Sequence, residues 1–326
     1  MSASPGRAAA GEVAAPSADG PAVAAELLRE TGLRARLDEP LAPHTTMRVG
    51  GPADLFVEAR TSSSLAAAVR FALARRLPLF VIGRGSDLVV ADEGIRGMVI
   101  LNRAAQLEVT GVRLTAASGV QIARAATAAG RAGLSGLEFG LAIPGSVGGA
   151  VWANAGAHGS DVAAVLEEVE VLRPDGSTAS LPAATLDLSY RDSRFKHVGD
   201  VVIAATFRLS PASPQAIRAR SDEIRSWRRE HQPLTQPSAG SIFRNPDGDS
   251  AGRLVDAAGM KGATEGGATI SPRHANFIVN SGGASASDVR RLAVRARREV
   301  ETRFGIRLEF EVEFVGDWSG WSEEAT

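Results

Sequence analysis

The sequence predicts an α+β fold, because patterns typical of strands and of helices both occur without strict alternation. Between residues 45 and 210, several short apolar runs are mixed with a few amphipathic segments of helical period. Hydrophobic residues make up 44% of the 326-residue chain and aromatic residues only 5%, which indicates a globular protein with an aliphatic core. The length is sufficient for two domains of ordinary size.

Composition and charge exclude several classes of protein. The net charge of −1 gives no general attraction to nucleic acid or to a membrane surface. No run approaches the ~18 apolar residues of a membrane span, and the N-terminal residues do not resemble a secretory signal, so a cytoplasmic protein is expected. The chain has no cysteine, which excludes disulfides and cysteine nucleophiles, and its five histidines lack metal-ligand spacing. No metal is therefore expected.

The elements of the first domain follow from local patterns. Residues 1–20 are of low complexity and are expected to be disordered. The segment 63–76 is amphipathic and begins with serine, which predicts a helix, and the apolar run 77–82 that ends at a glycine predicts a buried strand. Later patterns predict, in order, a strand after the turn at 83–87, a strand at 97–102, two strands around Gly111, a helix at 120–133, a hairpin with its turn at Pro174 to Gly176, and a strand at 200–210.

A second domain is predicted to begin after residue 210, where prolines interrupt the pattern before a highly charged helix at 213–231. It contains a glycine-punctuated segment, a strand at 275–280, a long helix at 285–305 and a strand at 307–316. The predicted organisation is thus a disordered tail at 1–20, a first domain at 41–210, a second domain at 211–316 and a frayed tail at 317–326.

Two glycine-rich turns are the clearest candidates for a ligand site, since the phosphate-binding P-loop, Rossmann and nucleophile-elbow motifs are all absent. Their backbone could cradle a long ligand that carries a pyrophosphate. The alternative is that they are tight turns packed against neighbouring strands. The first turn comprises Gly83, Arg84, Gly85, Ser86 and Asp87, and the second comprises Pro144, Gly145, Ser146, Gly148 and Gly149.

Three polar sites could carry chemistry. In the last predicted strand, alternation places Glu309, Glu311 and Glu313 on one face, where shielded carboxylates would raise one another's pKa; the alternative is a solvated edge strand. Arg191 and Arg194 could each clamp a carboxylate, although surface arginines are common. The loop serine Ser241 could instead be an ordinary turn hydrogen-bonder.

Seven strings of the sequence, in order, resemble the flavin-dependent UDP-N-acetylenolpyruvoylglucosamine reductases. The resemblance extends over about residues 41–316. The strings are TTMRVGGPA from Thr45, IGRGSDLVV from Ile82, GLAIPGSVGGAVWANAGAHG from Gly140, SYRDSRFK from Ser189, SAGSIFRNP from Ser238, AGMKGATEGGATISPRHANFIVN from Ala258 and LEFEVEFVG from Leu308.

The resemblance implies a fold and a reaction. The fold is an FAD-binding domain of the vanillyl-alcohol-oxidase (PCMH) type, made of two α+β subdomains, followed by a C-terminal α+β substrate domain. Noncovalent FAD would be held by the two glycine turns with Asn154 and Gly156, and NADPH would be the reductant. The substrate would be the enolpyruvyl ether of UDP-N-acetylglucosamine, and a monomer of the shorter class without an extra substrate loop is expected.

The resemblance also assigns roles to residues. Arg191 would bind the substrate carboxylate and enolate oxygens, Ser241 would protonate the adjacent carbon, and Glu311 would be the catalytic acid. Weaker matches for contacts to the diphosphate or sugar are Asn245, Lys261 and His274.

Two positions depart from the family pattern, and two other functions remain open. Asp87 replaces a common asparagine and would bring a negative charge near the pyrophosphate, while Glu313 stands where arginine is frequent. The alternatives are a flavoprotein oxidase of the same fold that acts on a sugar or alcohol, and a non-catalytic nucleotide-sugar-binding module.

Overall fold

The computed structural model describes residues 20–321, which form two compact units. Within the described residues, the first unit contains residues 20–37, Asp54–Gly83 and Gly97–Ser226, and the second contains Asp38–Ala53, Arg84–Arg96 and residues 227–321. Apart from Gly20, the predicted disordered tail lies outside the described residues, as do residues 322–326 of the predicted C-terminal tail.

The described residues form seven α-helices and nineteen strands. The helices are α1 (Gly20–Thr31), α2 (Ser62–Ala74), α3 (Ile122–Arg131), α4 (Val147–Trp152), α5 (Pro214–His231), α6 (Ala251–Ala257) and α7 (Ala286–Phe304). The strands are β1 (Ala35–Pro40), β2 (Pro52–Ala59), β3 (Leu79–Ile82), β4 (Leu88–Val90), β5 (Ile95–Asn102), β6 (Leu107–Thr110), β7 (Arg113–Ala117), β8 (Leu134–Ser135), β9 (Gly156–Ala157), β10 (Ser160–Asp161), β11 (Leu166–Leu172), β12 (Thr178–Pro182), β13 (Val201–Arg208), β14 (Ser210–Pro211), β15 (Ser238–Ser241), β16 (Thr264–Glu265), β17 (Ala268–Ile270), β18 (Phe277–Asn280) and β19 (Glu313–Val315). Short 3-10 helices lie at Ala42–His44, Glu138–Ala142, Ala183–Thr185 and Arg194–Lys196.

The first unit contains two large sheets, besides the two-stranded pairs β9-β10 and β8-β14. One has the strand order β1-β2-β5-β3, with β3 and β5 parallel, and the apolar face of α2 contributes to its core. Helix α2 begins where predicted because Thr61 and Ser64 form a reciprocal capping box. The other sheet is antiparallel in the order β12-β11-β13-β7-β6, and α3 and α4 contribute buried residues to the same core.

The second unit has a four-stranded sheet in the order β15-β18-β17-β16, with α6 and α7 contributing to its core. Helix α7 begins at a capping box of Ser285 and Asp288 and ends at Gly305, whose φ of 68° suits glycine. A separate parallel pair joins β19 to β4, so that the strand after the first glycine turn lies beside the last strand of the chain.

The compact units divide the chain at Ser226, later than the predicted domain boundary after residue 210. The beginning of α5 belongs to the first unit because Ile217 is buried against Gly130 and because Arg220 donates to the carbonyl of His158, at 2.7 Å. The division of function between residues 41–210 and 211–316 stays a prediction.

The predicted strand at 307–316 is only partly observed. Regular pairing is confined to β19, and Phe310 forms a single antiparallel bridge with Phe243. The N–H groups of Glu311 and Val312 both donate to the carbonyl of Ile242, at 2.8 and 3.4 Å, so the segment changes partner part-way along. The expectation of one continuous strand was therefore wrong.

The predicted frayed tail was also wrong for Asp317 to Trp321. The N–H of Asp317 donates to Gly94 O at 2.9 Å, and the Trp318 indole N–H donates to Val315 O at 3.0 Å. The guanidinium of Arg290 lies 3.7 Å from the ring centroid of Trp321, so a cation–π contact also holds this segment.

Candidate active site

Gly83, the first residue of the first glycine turn, belongs to the first unit and lies against Ser146 of the second turn. A Cβ atom on Gly83 would lie 2.2 Å from Ser146 Oγ, closer than nonbonded atoms can approach. A Cβ there would displace the Ser146 hydroxyl, which accepts the N–H of Gly149, so glycine allows Gly83 and Ser146, which are far apart in the sequence, to lie in contact.

Three amides of the second turn are already hydrogen-bonded within the protein. The N–H of Val147 donates to Val120 O at 2.7 Å, and that of Gly148 donates to Ser118 O at 2.8 Å. The N–H of Gly149 donates to Ser146 Oγ at 3.3 Å. Because these donors are already satisfied, this turn can offer a ligand a close backbone surface but no nest of N–H groups at these three positions.

The first turn has donors that are unsatisfied within the protein. In the part of the chain from residue 20 to 321, the N–H groups of Gly85 and Ser86 have no hydrogen-bond partner, and Gly85 is buried. The Arg84 Nε is also buried without a partner. A buried amide and a guanidinium nitrogen that lack acceptors suit an anionic group, so this turn fits the pyrophosphate of FAD.

Asn154 and Gly156, predicted to bind the cofactor, have structural roles. The Asn154 side chain is 2% exposed; its Nδ2 donates to Ser189 O at 2.8 Å and its Oδ1 accepts from Ala163 N–H at 2.9 Å. A Cβ on Gly156 would lie 2.6 Å from Asp161 Cβ, so glycine allows β9 and β10 to pair. The Asn154 amide therefore supports the backbone that leads to Arg191.

Arg191 lies in a tight turn closed by reciprocal backbone hydrogen bonds between Ser189 and Asp192, both 3.1 Å. Its φ of 57° is in the left-handed region that favours glycine, at a cost of about 1 kcal/mol for other residues. The Ser189 carbonyl is fixed by Asn154. Strain of this kind persists where the surroundings hold a residue in place, and such residues cluster at functional sites.

Arg194, the other candidate clamp, is paired within the protein. Its Nη2 lies 3.3 Å from Asp200 Oδ2, and the Asp200 side chain is only 6% exposed. A nearly buried carboxylate needs a charged partner, so the ion pair with Asp200 accounts for the presence of an arginine at position 194.

Ser241 ends β15 in the second unit, and Thr46 connects this strand to the first glycine turn. The Thr46 hydroxyl donates to Ser238 O at 2.6 Å, and the Thr46 N–H donates to Gly85 O at 2.9 Å. Sequence reasoning did not identify Thr46, although it lies in one of the strings that carry the family resemblance.

Glu311 lies beside the Ser241 strand. Its N–H donates to the carbonyl of Ile242, the residue after Ser241, at 2.8 Å, and the N–H of Glu313 donates to Asp87 O at 3.0 Å. Three segments that are distant in the sequence, namely the first glycine turn, the Ser241 strand and the glutamate segment, are thereby joined within one unit. Glu309 is separate, since its side chain is 76% exposed and lies 3.7 Å from Arg244, so the three glutamates do not form one shielded face.

The weaker candidates occupy different settings. Asn245 Oδ1 accepts the N–H of Ala251 at the start of α6, and Lys261 Nζ pairs with Asp256 Oδ2 at 2.9 Å. Burial lowers the pKa of His274, and the positive charge of Lys261 lowers it further. Its Nδ1 accepts the N–H of Asn276 at 3.2 Å, so the neutral ring carries its hydrogen on Nε2.

A buried asparagine, Asn276, was also missed. Its side chain is 3% exposed and bonds both the N–H and the carbonyl of Phe243, at 2.9 and 2.8 Å. The only signal in the sequence was one polar residue next to an apolar strand.

Known proteins resemble this chain over most of its length. The family model "UDP-N-acetylenolpyruvoylglucosamine reductase, C-terminal domain" matches residues 232–315, and the model "FAD binding domain" matches residues 53–181. UDP-N-acetylenolpyruvoylglucosamine reductase 2 of Symbiobacterium thermophilum is 43% identical over 292 residues, covering 89% of this chain and 94% of the relative. The chain belongs to the UDP-N-acetylenolpyruvoylglucosamine reductase family. The Bacillus subtilis reductase is also 43% identical, over 88% of this chain and 96% of its own.

A solved structure supports the same assignment. The UDP-N-acetylenolpyruvylglucosamine reductase of Thermus caldophilus matches with a TM-score of 0.75 and 37% identity, over 86% of this chain and 99% of that chain. The predicted α+β fold with an FAD-binding domain is confirmed, as is the prediction of an FAD-dependent oxidoreductase that uses NADPH. The oxidase and binding-module alternatives are not favoured.

Two other findings concern metals and membranes. Among residues 20–321, no group of three or more histidine, aspartate or glutamate side chains is placed to hold a metal ion. No helix in this described range is both long enough and apolar enough to cross a membrane.

Proposed function

We propose that this reductase converts the enolpyruvyl ether of UDP-N-acetylglucosamine into UDP-N-acetylmuramate with NADPH, a step of peptidoglycan precursor synthesis. The observation that carries the proposal is the hydrogen bond from Glu311 N–H to Ile242 O, at 2.8 Å. This bond joins the segment that contains Glu311 to the residue after Ser241, which supports the proposal that the two side chains act together. The family assignment supplies the substrate class.

The first glycine turn is proposed to hold the FAD pyrophosphate through the N–H groups of Gly85 and Ser86 and through Arg84. Gly83 and the turn Pro144 to Gly149 would provide close backbone surface to the rest of the cofactor. When bound, FAD supplies the chemistry of accepting a hydride from NADPH and passing it to the terminal vinyl carbon of the substrate. The Asp87 main chain is engaged by Glu313 N–H, which ties the turn to the last strand.

Arg191 is proposed to bind the substrate carboxylate. Reduction of the vinyl group builds enolate character next to that carboxylate, and a fixed cation stabilises charge that develops in the transition state. The turn that holds Arg191 restrains its backbone before substrate arrives, which is the condition under which such stabilisation is most effective.

Ser241 is proposed to protonate the carbon next to the carboxylate, which completes the lactyl ether. A serine hydroxyl is a weak acid and needs a partner that stabilises the alkoxide or relays a proton. Glu311 is proposed to assist as an acid that hydrogen-bonds the enol. Lys261, His274 and Asn245 are proposed to contact the diphosphate or sugar.

Absorption spectroscopy of the purified protein tests the proposal. Flavin bands should bleach on anaerobic addition of NADPH and recover when the enolpyruvyl substrate is added. Simple sugars should not restore them. A colourless protein that gains no flavin on reconstitution, or a reduced flavin that the enolpyruvyl substrate leaves unchanged, would contradict it.

A cytoplasmic monomer is the remaining part of the proposal and rests on the family resemblance alone. Light scattering coupled to size-exclusion chromatography should give the mass of one chain. The mass of two chains at micromolar concentration would contradict the monomer.

A further inference from the structure

On its β18 side, the backbone that follows Ser241 is held by Asn276 in place of strand pairing, and on its other side Phe243 forms the bridge with Phe310. Ser241 pairs with Phe277, the first residue of β18, so regular sheet pairing ends at this point. Beyond this point, Asn276 makes the hydrogen bonds that a longer strand would make. Its main-chain carbonyl accepts the N–H of Ile242 at 2.9 Å. Its side chain accepts the N–H of Phe243 at 2.9 Å and donates to the Phe243 carbonyl at 2.8 Å.

These hydrogen bonds lie in the core. Asn276 is 3% exposed, Phe243 is 2% exposed and Ile242 is 1% exposed. Without competing water, such bonds are strong and their loss leaves buried groups unpaired. A side-chain amide combines a donor and an acceptor as a peptide group does, so an aspartate or leucine of similar size cannot make both bonds.

The same backbone carries the contact to Glu311. The Ile242 carbonyl accepts the N–H of Glu311 at 2.8 Å, and the Phe243 ring stacks on that of Phe310, with centroids 5.4 Å apart. Ser241 directly precedes this anchored peptide in the chain, and Glu311 is hydrogen-bonded to it. A shift of Ile242 and Phe243 would therefore displace both.

We propose that Asn276 is a positioning residue that aligns Ser241 with Glu311 for proton delivery, an inference that rests on the proposed function. It makes no contact with substrate in this role. Its effect is confined to the half-reaction in which the substrate is protonated, and NADPH reduction of the flavin does not depend on it.

The test compares Asn276→Asp with Asn280→Asp in the flavin-loaded enzyme. Asn276 directly precedes β18, and its side chain donates to the Phe243 carbonyl. Asn280 ends β18, and its side chain donates to the Met47 carbonyl at 3.2 Å. Both substitutions keep the Oδ1 acceptor. Stopped-flow absorbance measures flavin reduction by NADPH and, separately, flavin reoxidation by the enolpyruvyl substrate.

Asn276→Asp should slow substrate reoxidation about 10- to 100-fold, the loss expected from a displacement of about 1 Å, and leave NADPH reduction within about twofold of the wild type. Asn280→Asp should leave both rates within about twofold. Equal slowing of both half-reactions by Asn276→Asp, or equal effects of the two substitutions on reoxidation, would overturn the inference.

A double-mutant cycle tests whether Asn276 acts through Ser241. In a Ser241→Ala background, Asn276→Asp should slow reoxidation by less than about twofold, because the proton donor is already gone. A full 10- to 100-fold loss in that background would refute the positioning role.

The pH profile gives a matching signature. A buried carboxyl at position 276 would be protonated as pH falls, since burial raises its pKa, and it could then donate to the Phe243 carbonyl. In the Asn276→Asp variant, the rate of flavin reoxidation by the substrate should therefore recover toward the wild-type rate at low pH. In the Asn276→Leu variant, this rate should show no recovery. The same low rate for both variants at every pH would count against the inference.

One measurement is independent of flavin chemistry. Amide hydrogen exchange of the flavin-free protein should be faster at Glu311 in Asn276→Asp than in Asn280→Asp. Unchanged protection of Glu311 would overturn the inference even if the wild type is fully active. Failure of the proposed function is recognised separately, as a wild-type enzyme whose reduced flavin the enolpyruvyl substrate cannot reoxidise.

Discussion

Arg191 in the first unit and Ser241 in the second are held in place by different means. Arg191 lies in a tight turn with a strained φ of 57°, whereas Ser241 ends a strand whose continuation is fixed by buried hydrogen bonds. Yet a buried asparagine supports each region, Asn154 at Ser189 and Asn276 at Phe243. In both regions the residue proposed to act is held by an amide that is not itself proposed to react.

The largest expected effect concerns the proton donor. Ser241→Ala should slow flavin reoxidation by the enolpyruvyl substrate about 10²- to 10⁴-fold, the usual contribution of a positioned acid, while NADPH still reduces the flavin. Stopped-flow absorbance measures both rates. Unchanged reoxidation would remove Ser241 from the mechanism.

A smaller effect is expected at the carboxylate clamp. Arg191→Lys keeps the charge but loses the planar, bidentate geometry, so kcat/KM for the enolpyruvyl substrate should fall about 10- to 100-fold. Arg194→Lys is the matched control, because Arg194 is paired with Asp200 within the protein. Equal losses from both substitutions would show that Arg191 has no special role.

The asparagine of the first unit provides the next comparison. Asn154→Leu removes the donor to Ser189 O and the acceptor for Ala163 N–H, so it should lower the free energy of unfolding by about 1–3 kcal/mol. The KM for the enolpyruvyl substrate should rise as the Arg191 turn loosens. Urea unfolding and steady-state kinetics measure the two effects, and an unchanged KM would separate Asn154 from substrate binding.

A pH effect is expected from His274 in the second unit. Burial lowers the pKa of His274 in the folded state, below its ordinary value of 6.5. The unfolded chain therefore takes up the proton first, so this contribution to stability is complete above pH 6.5 and is lost as pH falls toward the folded-state pKa. The stability difference between pH 7.5 and pH 5.5, measured by urea unfolding, should be smaller in His274→Gln than in the wild type; an identical difference would exclude His274 as its source.

The sequence predicted the glycine turns and most helices because these depend on local signals. Clustered glycines marked Gly83, and the capping residues of α2 and α7 are adjacent to the helices they begin. The identity of Ser241 and Glu311 came from resemblance. Their connection through Ile242 depends on pairing between residues far apart in the chain, which no local pattern encodes.

The same limit applies to the amides of the second glycine turn and to Asn276. Whether the Val147 and Gly148 amides are free depends on where Val120 and Ser118 lie. A single amide beside an apolar strand has no periodicity that distinguishes a clamp from a surface residue. Side-chain hydrogen bonds that replace backbone pairing are therefore identified in the folded structure and not in the sequence pattern.

The smallest effect tests whether the Arg191 turn stores strain. Arg191→Ala and Arg191→Gly both remove the guanidinium, but only glycine adopts a φ of 57° without a steric cost. Arg191→Gly should be the more stable of the two by roughly 0.5–1 kcal/mol, although glycine also gains entropy in the unfolded chain, which reduces the difference. Urea unfolding of the two variants measures it directly. If Arg191→Ala is as stable as Arg191→Gly, the turn relaxes without the arginine, and Asn154 rather than local backbone strain accounts for how the first unit holds this residue.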